Sequence, residues 1–302
     1  MKNKVAIVTY VSKGTYDHNT ADENQILAEI LDELGIENEL IPWSDKNADW
    51  SKFDFLLIKS TWDYFDHYEE FRSWLDHLEM LQIPVLNSLE ILRWNSDKSY
   101  LFDVEKMGFP VISGKKLAAQ SSIYKDDFEG LPFDEFVIKP LVSGGAKNTF
   151  RLDKKHVQDF LPKLNSLLEK ESFLIQPFVK EVAEVGEYSL IYFNSIFSHA
   201  VLKTPAQEDF RVQHYFGGTI KAFHPDQLLL DSVQVLVDRF CQNSLYARVD
   251  GVIISGVFHL MELEMIEPYL FLVESEGARK NYKEALERRL FSQLQRSSAA
   301  SP

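Results

Sequence analysis

At 302 residues, 45% of them hydrophobic and 22 of them Phe, the chain can bury two or three packed units and is not a disordered polymer. Asp and Glu number 46 against 32 Lys and Arg, and a net charge of −14 argues against a nucleic-acid partner. The single cysteine, Cys241, allows no internal disulfide framework and sits in an apolar pattern that reads as core, while no apolar run nears the ~18 residues of a membrane span.

Residues 1–92 alternate strand and helix. The first basic and apolar residues are too short a run for a signal peptide, and 4–11 reads as a strand. Thr20-x-x-Glu23 resembles a capping box, Ile26, Leu27, Ile30, Leu31 and Leu34 follow at helical spacing, and Gly35 stops the helix. Strands are expected at 36–41, 53–58 and 83–86, with an amphipathic helix marked by Phe71, Trp74, Leu75, Leu78 and Leu81. This alternation implies βαβ units and a mostly parallel sheet. Lys59-Ser60-Thr61-Trp62-Asp63-Tyr64 follows the third strand, at the end where such sheets bind ligands. It reads either as a polar substrate cluster or as a capping turn with Trp62 in the core.

Residues 93–180 form a second unit. Ser96-Asp97 is expected to cap a helix ended by Gly108, with Lys98 in its first turn, where a cation opposes the helix dipole. Residues 126–130 read as a loop. At 136–150, FVIKPLVSGGAKNTF, a strand ends at Lys139 and opens into Ser143-Gly144-Gly145-Ala146 before a new strand. Small residues let backbone approach a ligand and successive N–H groups line an anion, so this stretch is a candidate triphosphate clamp. A plain hairpin with a flexible tip is the other reading. A helix follows over 154–170 and a strand over 172–176. Gln176-Pro177-Phe178-Val179 closes that strand, and free backbone groups beside Phe178 would suit an adenine ring.

Residues 181–302 read as mainly antiparallel. Strands 187–193 and 197–203 meet at Asn194-Ser195, a polar loop runs over 204–219, and a long helix is expected over 225–246. A last hairpin pairs 247–254 with 257–266, a charged helix covers 274–295, and SSAASP reads as a frayed tail. In that hairpin Arg248 and Asp250 share one face, and Glu262 and Glu264 share one face of the partner strand. Like charges this close call for a cation, and Mg²⁺, which takes oxygen ligands, fits them. Ordinary polar-out alternation facing water is the competing reading.

The order of these motifs resembles the ATP-grasp superfamily, in the branch with a glutathione-synthetase-like ATP-binding domain, over nearly the whole chain. The resemblance implies an α/β fold, α+β in its C-terminal half: a pre-ATP-grasp domain at 1–92, a lid subdomain at 93–180 and a metal-bearing subdomain at 181–302. It implies ATP and two Mg²⁺ ions as cofactors. Lys98 and Lys139 look like the nucleotide lysines, Ser143, Gly144 and Gly145 like the phosphate lid, Gln176, Phe178 and Val179 like the adenine hinge, and Glu187 like the ribose acid. Asp250, Glu262 and Glu264 fall where the family places its magnesium ligands, with Glu264 where many members have Asn. Lys203 and Arg211 resemble the basic residues that hold the γ-phosphate and an acyl-phosphate. Within the superfamily, STWDY, Phe210-Arg211-Val212-Gln213 and ELEMIEP look most like the ligases that close O-ureido-D-serine to D-cycloserine, although Lys59 replaces an arginine common there. The implied function is an ATP-dependent ligase acting on a small amino-acid-like carboxylate in the cytoplasm, with no nucleic-acid or membrane partner and a homodimer as the base-rate expectation. A catalytically silent Mg·ATP-binding regulator or scaffold, and an unrelated α/β binding protein, are the alternatives. The residues do not name the carboxylate or its nucleophile.

Overall fold

The computed structural model describes residues 3–13, 22–206 and 217–299. The first layer is β1 (Lys4–Thr9), α1 (Glu23–Glu33), β2 (Glu37–Pro42), β3 (Phe55–Ser60), α2 (Tyr68–Leu81) and β4 (Val85–Leu86). The strands form a parallel sheet in the order β2-β1-β3-β4. Its near-continuous apolar strands have the physical reason expected of parallel sheets, which are buried on both faces. Val5 and Ile7 of β1 join one core with α1, while Ala6 and Val8 join another with Trp43 and α2.

The α1 helix is capped by Asp22, whose side chain accepts from the N–H groups of Asn24 and Gln25. Thr20 of the expected capping box lies outside the described residues. Glu23 does not close such a box; its carboxylate is buried elsewhere in the molecule.

Next come α3 (Leu89–Asn95), α4 (Tyr100–Lys106), β5 (Lys115–Leu117), α5 (Asp126–Glu129), β6 (Glu135–Pro140), β7 (Phe150–Asp153), α6 (Val157–Leu168) and β8 (Phe173–Pro177). Their antiparallel sheet has the order β5-β8-β6-β7 and carries α6 on one face. Pro177 therefore marks a strand's end rather than an edge, since β8 is paired on both sides. The sequence reading missed α3 and took α5 for a loop. It also placed Lys98 inside a helix, whereas Lys98 lies in the turn between α3 and α4, ahead of the first turn of α4. The Asp97 carboxylate accepts from Ser99 N–H, so the polar cluster shapes that turn and does not cap at Ser96.

The third part holds α7 (Lys180–Glu184), β9 (Glu187–Phe193), β10 (Ile196–Thr204), β11 (Thr219–Phe223), α8 (Gln227–Phe240), β12 (Tyr246–Ile254), β13 (Val257–Glu264) and α9 (Ala278–Ala299). Its antiparallel sheet runs β11-β10-β9-β12-β13. Asn194 and Ser195 both take positive φ, as a tight two-residue hairpin turn requires. The α8 helix is shorter than the expected 225–246: it stops at Phe240, and Tyr246 already belongs to β12. The last helix starts later than expected and continues to Ala299, so residues 297–299 are helical rather than frayed. Cys241 is fully buried and burial pushes its thiol up, in keeping with a core role.

The segment between β13 and α9 ties the first and third parts together. Leu270, Phe271 and Leu272 share a core with Val5 and Ile7 of β1 and with Ile191 and Phe193 of β9. Buried side chains cap the backbone around it. Asn87 donates to Tyr246 O and Met265 O at 2.9 and 2.7 Å, and Asn95 donates to Leu263 O at 2.7 Å and accepts from Met265 N–H at 2.8 Å. These amides satisfy backbone groups that no neighbouring strand reaches. Among the described residues no helix is long and apolar enough to cross a membrane.

Candidate active site

Register places the acidic residues. In the β12–β13 ladder Asp250 stands opposite Glu262 and Arg248 opposite Glu264, so all four side chains rise from one face. That face does not look onto bulk water, as simple alternation allowed. It forms the floor of a cavity of about 620 Å³, walled by residues from all three sheets' surroundings.

Asp250 is 3% exposed and is gripped from several sides. The Arg248 guanidinium donates to it at 2.9–3.1 Å, Lys203 Nζ at 3.1 Å and Ser189 Oγ at 2.6 Å. Arg248 also pairs with Glu264, and Lys203 with Glu187. Glu262 pairs with Lys98 at 3.1 Å. Burial works to raise the Asp250 carboxyl, but Arg248 and Lys203 outweigh it and hold it well below the usual carboxylate range. Glu264 goes the other way: burial, then Asp250 and Glu262, push it up to about 7 against the pull of Arg248.

A set of carboxylate oxygens in which one member is driven toward neutrality has room for added positive charge, and a hard divalent cation fits these donors. As placed, each carboxylate is turned to a Lys or Arg, and among the described residues no three His, Cys, Asp or Glu side chains converge at metal-binding distance.

Across the cavity, Lys98 is buried and donates to Ser143 O at 2.5 Å and Ser143 Oγ at 3.3 Å, while its N–H donates to Leu141 O at 2.8 Å. It thereby fixes the start of the glycine loop. Gly145 (φ 57°) and Ala146 (φ 56°) turn the loop. Gly144 lies against the N-terminal part: a Cβ there would come 2.4 Å from Phe65 Cε1. Lys147, just after, pairs with Asp66.

Lys139 is different. Its ammonium has no ion pair or hydrogen bond among the described residues. Burial holds it below the ordinary lysine value, with Lys98 adding to that effect and Glu262 opposing it.

At the far end Gln176, Phe178 and Val179 line the same cavity. The expectation of free backbone groups here needs correcting: Phe178 N–H donates to Glu135 O at 3.0 Å, because the β6–β8 ladder extends past Pro177. Gln176 Nε2 donates to Ile112 O, and the Arg151 guanidinium stacks 3.6 Å over the Phe178 ring.

The 59–64 cluster divides. Trp62 and Tyr64 line the cavity. Lys59 is buried away from it, paired with Glu23 at 2.8 Å and donating to Pro268 O at 3.1 Å. Asp63 accepts from the Trp43 indole at 2.6 Å and does not cap α2. Thus the described candidates from all three parts face one space, and Arg211 lies outside the described residues. Among the cavity residues that the sequence reading did not single out as site residues are Phe65 and Glu267. Phe65 carried no signal beyond its apolar character. Glu267 lies past the end of β13, where alternation no longer assigns a face.

Comparison with known proteins gives this cavity a context. Residues 5–87 match the family described as the N-terminal domain of D-cycloserine synthetase DcsG. Over 280 residues the chain is 26% identical to the cycloserine biosynthesis protein DcsG of Streptomyces lavendulae, covering 87% of this chain and 92% of that protein. The crystal structure of D-cycloserine synthetase DcsG superposes with a TM-score of 0.81 at 25% identity, over 95% of this chain and 100% of that one. The D-alanine--D-alanine ligase of Bacillus anthracis, solved with ATP, has a TM-score of 0.69 at 17% identity, over 97% and 98% of the two chains.

The chain has the fold of the ATP-grasp ligases. In this fold the antiparallel sheets of the second and third parts both line the cavity.

Proposed function

We propose that the ligase activates a small amino-acid-like carboxylate as an acyl-phosphate, which an amine or similar nucleophile then attacks. The observation that carries this reading is Lys139: a half-buried ammonium on the cavity wall, without a partner among the described residues, is costly unless an anion completes it.

In this reading a carboxylate oxygen attacks the γ-phosphorus of ATP, and the bond to the bridging oxygen breaks to release ADP. The nucleophile then adds to the acyl carbon, loses a proton, and phosphate departs with the C–O bonding electrons. Lys98, Lys139 and the N–H groups of Gly144 and Gly145 hold phosphate oxygens, with Ser143 anchored by Lys98. Gln176, Phe178 and Val179 bracket the adenine, and Glu187 takes the ribose. Asp250, Glu262 and Glu264 would hold two Mg²⁺ ions, which neutralise charge on the phosphates when bound. Lys203, now bridging Glu187 and Asp250, and Arg211, assigned by resemblance, stabilise the transferring phosphoryl group. The units 1–92, 93–180 and 181–302 serve as substrate-binding, lid and metal-bearing parts. The protein supplies positioning and charge more than covalent chemistry.

A silent regulator would need no complete acidic set, whereas Asp250, Glu262 and Glu264 are all present on one face. The test is ADP release with Mg·ATP across a panel of amino acids, small dipeptides and O-ureido-serine, with Asp250→Asn as control. Release that depends on one panel member and vanishes in the control supports the ligase and narrows its substrate. Tight Mg·ATP binding with no release for any member favours the regulator. Arg211→Ala is expected to cost about 10²–10³-fold in rate, and turnover within a few-fold of wild type would remove that assignment.

A further inference from the structure

The β13 strand is the last of its sheet, so one of its edges has no strand neighbour. It carries Glu262 and Glu264 into the cavity, and an open edge would leave those carboxylates on the least restrained strand. The edge is closed by other means. Midway along it, Leu260 N–H donates to Pro110 O at 3.0 Å and Leu260 O accepts from Ile112 N–H at 2.9 Å. Beyond that point side chains replace a strand. Tyr100 Oη accepts from Leu263 N–H at 2.8 Å. Asn95 donates to Leu263 O at 2.7 Å and accepts from Met265 N–H at 2.8 Å, and Asn87 donates to Met265 O at 2.7 Å.

Asn95 makes the central pair of these bonds. Its amide grips the backbone on both sides of Glu264, which lies between Leu263 and Met265. The pair needs a donor and an acceptor on one side chain, which an amide supplies and an ionised carboxylate or an alkyl group does not. Asn95 is buried at the end of α3 and lines the cavity. Three residues later Lys98 pairs with Glu262 at 3.1 Å and holds Ser143 of the glycine loop. One short segment, 95–100, therefore touches the carboxylate strand, a cavity carboxylate and the phosphate loop.

We propose that Asn95 is a positioning residue for the metal-binding carboxylates. Assisted by Tyr100, it stands in for the missing strand and fixes Glu262 and Glu264 at the spacing from Lys98 at which a divalent cation and nucleotide phosphates are held together. This rests on the metal assignment in the ligase reading above. It follows that Mg²⁺ and nucleotide binding are coupled through an amide that touches neither. Without Asn95 the carboxylates and the lysine are still present, but Mg²⁺ adds less to nucleotide affinity.

Calorimetry on the full chain measures the affinity for ATP with Mg²⁺ and with EDTA, and the ratio of the two is the readout. Asn95→Leu removes both bonds at similar size. Tyr100→Phe removes one bond and keeps the ring, and it decides the question where Asn95→Leu does not fold. Asn165→Leu is the control for lost stability alone. Asn165 of α6 grips Ile123 in the same two-bond manner, at 3.0 and 2.9 Å, and lies outside the cavity lining. The ratio is expected to fall about tenfold or more in Asn95→Leu and by about threefold in Tyr100→Phe, with affinity in EDTA close to wild type. In Asn165→Leu the ratio should not change.

An unchanged ratio in Asn95→Leu, or in Tyr100→Phe where only that variant folds, overturns the proposal. So does an equal loss of affinity with and without Mg²⁺, or an equal fall of the ratio in Asn165→Leu, since each would make the amide a matter of stability only. If wild type binds ATP no better with Mg²⁺, the metal assignment fails and the proposal with it. If wild type binds Mg·ATP but releases no ADP with any substrate, the ligase reading alone fails, and the ratio still decides the role of Asn95.

Discussion

Asp250 stands directly opposite Glu262 across the β12–β13 ladder, yet the two carboxylates are held by different cations. Asp250 takes Arg248 and Lys203 from its own part of the chain, and Glu262 takes Lys98 from the turn before α4. The two positions therefore differ in what they do for folding, although both are assigned to the same metal site.

Removing each charge should separate those effects. Asp250→Asn leaves Arg248 and Lys203 buried without their shared anion, and is expected to cost about 3–5 kcal/mol of stability. Glu262, 31% exposed and with a single lysine partner, should cost about 1 kcal/mol or less as Glu262→Gln. Both should lower Mg·ATP-dependent turnover by about 10²-fold or more. Urea unfolding together with ADP release checks this, and equal stability losses would contradict the pairing described.

Lys139→Met should act in opposite directions on stability and on function. It removes a half-buried ammonium that has no partner among the described residues, so the ligand-free protein is expected to gain up to about 1 kcal/mol. Mg·ATP binding, followed by calorimetry, should weaken by about 10²-fold. A variant both less stable and equally able to bind nucleotide would remove Lys139 from the phosphate site.

Gly144 has no space for a side chain because Phe65 lies against it. Gly144→Ala should push the glycine loop off Phe65 and raise the KM for ATP by about tenfold, an overpacking effect. Combining it with Phe65→Leu should recover most of that loss. If the double variant is no better than Gly144→Ala alone, the contact does not position the loop.

Glu33 links α1 to α9 through Arg279 and Lys283 at 2.5 and 2.7 Å. Hydrogen bonds from Arg279 and then Lys283 lower its carboxyl to about 2 from 4.5. A carboxyl lowered in the folded state contributes fully above its unfolded value, and that contribution is lost as pH falls from about 4.5 through about 2. Stability measured over that window should fall more steeply for wild type than for Glu33→Gln. Parallel curves would show that the link adds nothing.

Much of this was legible in residue patterns, because period-two and period-3.6 spacing is a local property. Those patterns put Arg248 with Asp250 and Glu262 with Glu264, and the glycine loop after Lys139 announced itself by its missing side chains. Errors came where local pattern stops. Lys98 was expected in the first turn of a helix capped by Ser96-Asp97, whereas it lies in the turn between α3 and α4, because Ser96-Asp97 looks like any cap. The Phe178 N–H was expected free, but a strand far away in sequence claims it.

Lys59 shows the division most plainly. Its cluster read either as a ligand site or as a capping turn, and the fold buries Lys59 on Glu23, whose carboxylate also accepts the N–H groups of Leu270 and Leu272. The sequence alone determined strands, helices, the acidic pair on each strand and the glycine loop, since each depends on neighbours within a few positions. Only the tertiary structure decided which cation meets which carboxylate, and that Lys139 and Glu267 are left without partners among the described residues. Those outcomes depend on contacts across strands and between distant parts of the chain, as between Lys98 and Glu262, where Coulomb energy and burial act through space and not along the chain.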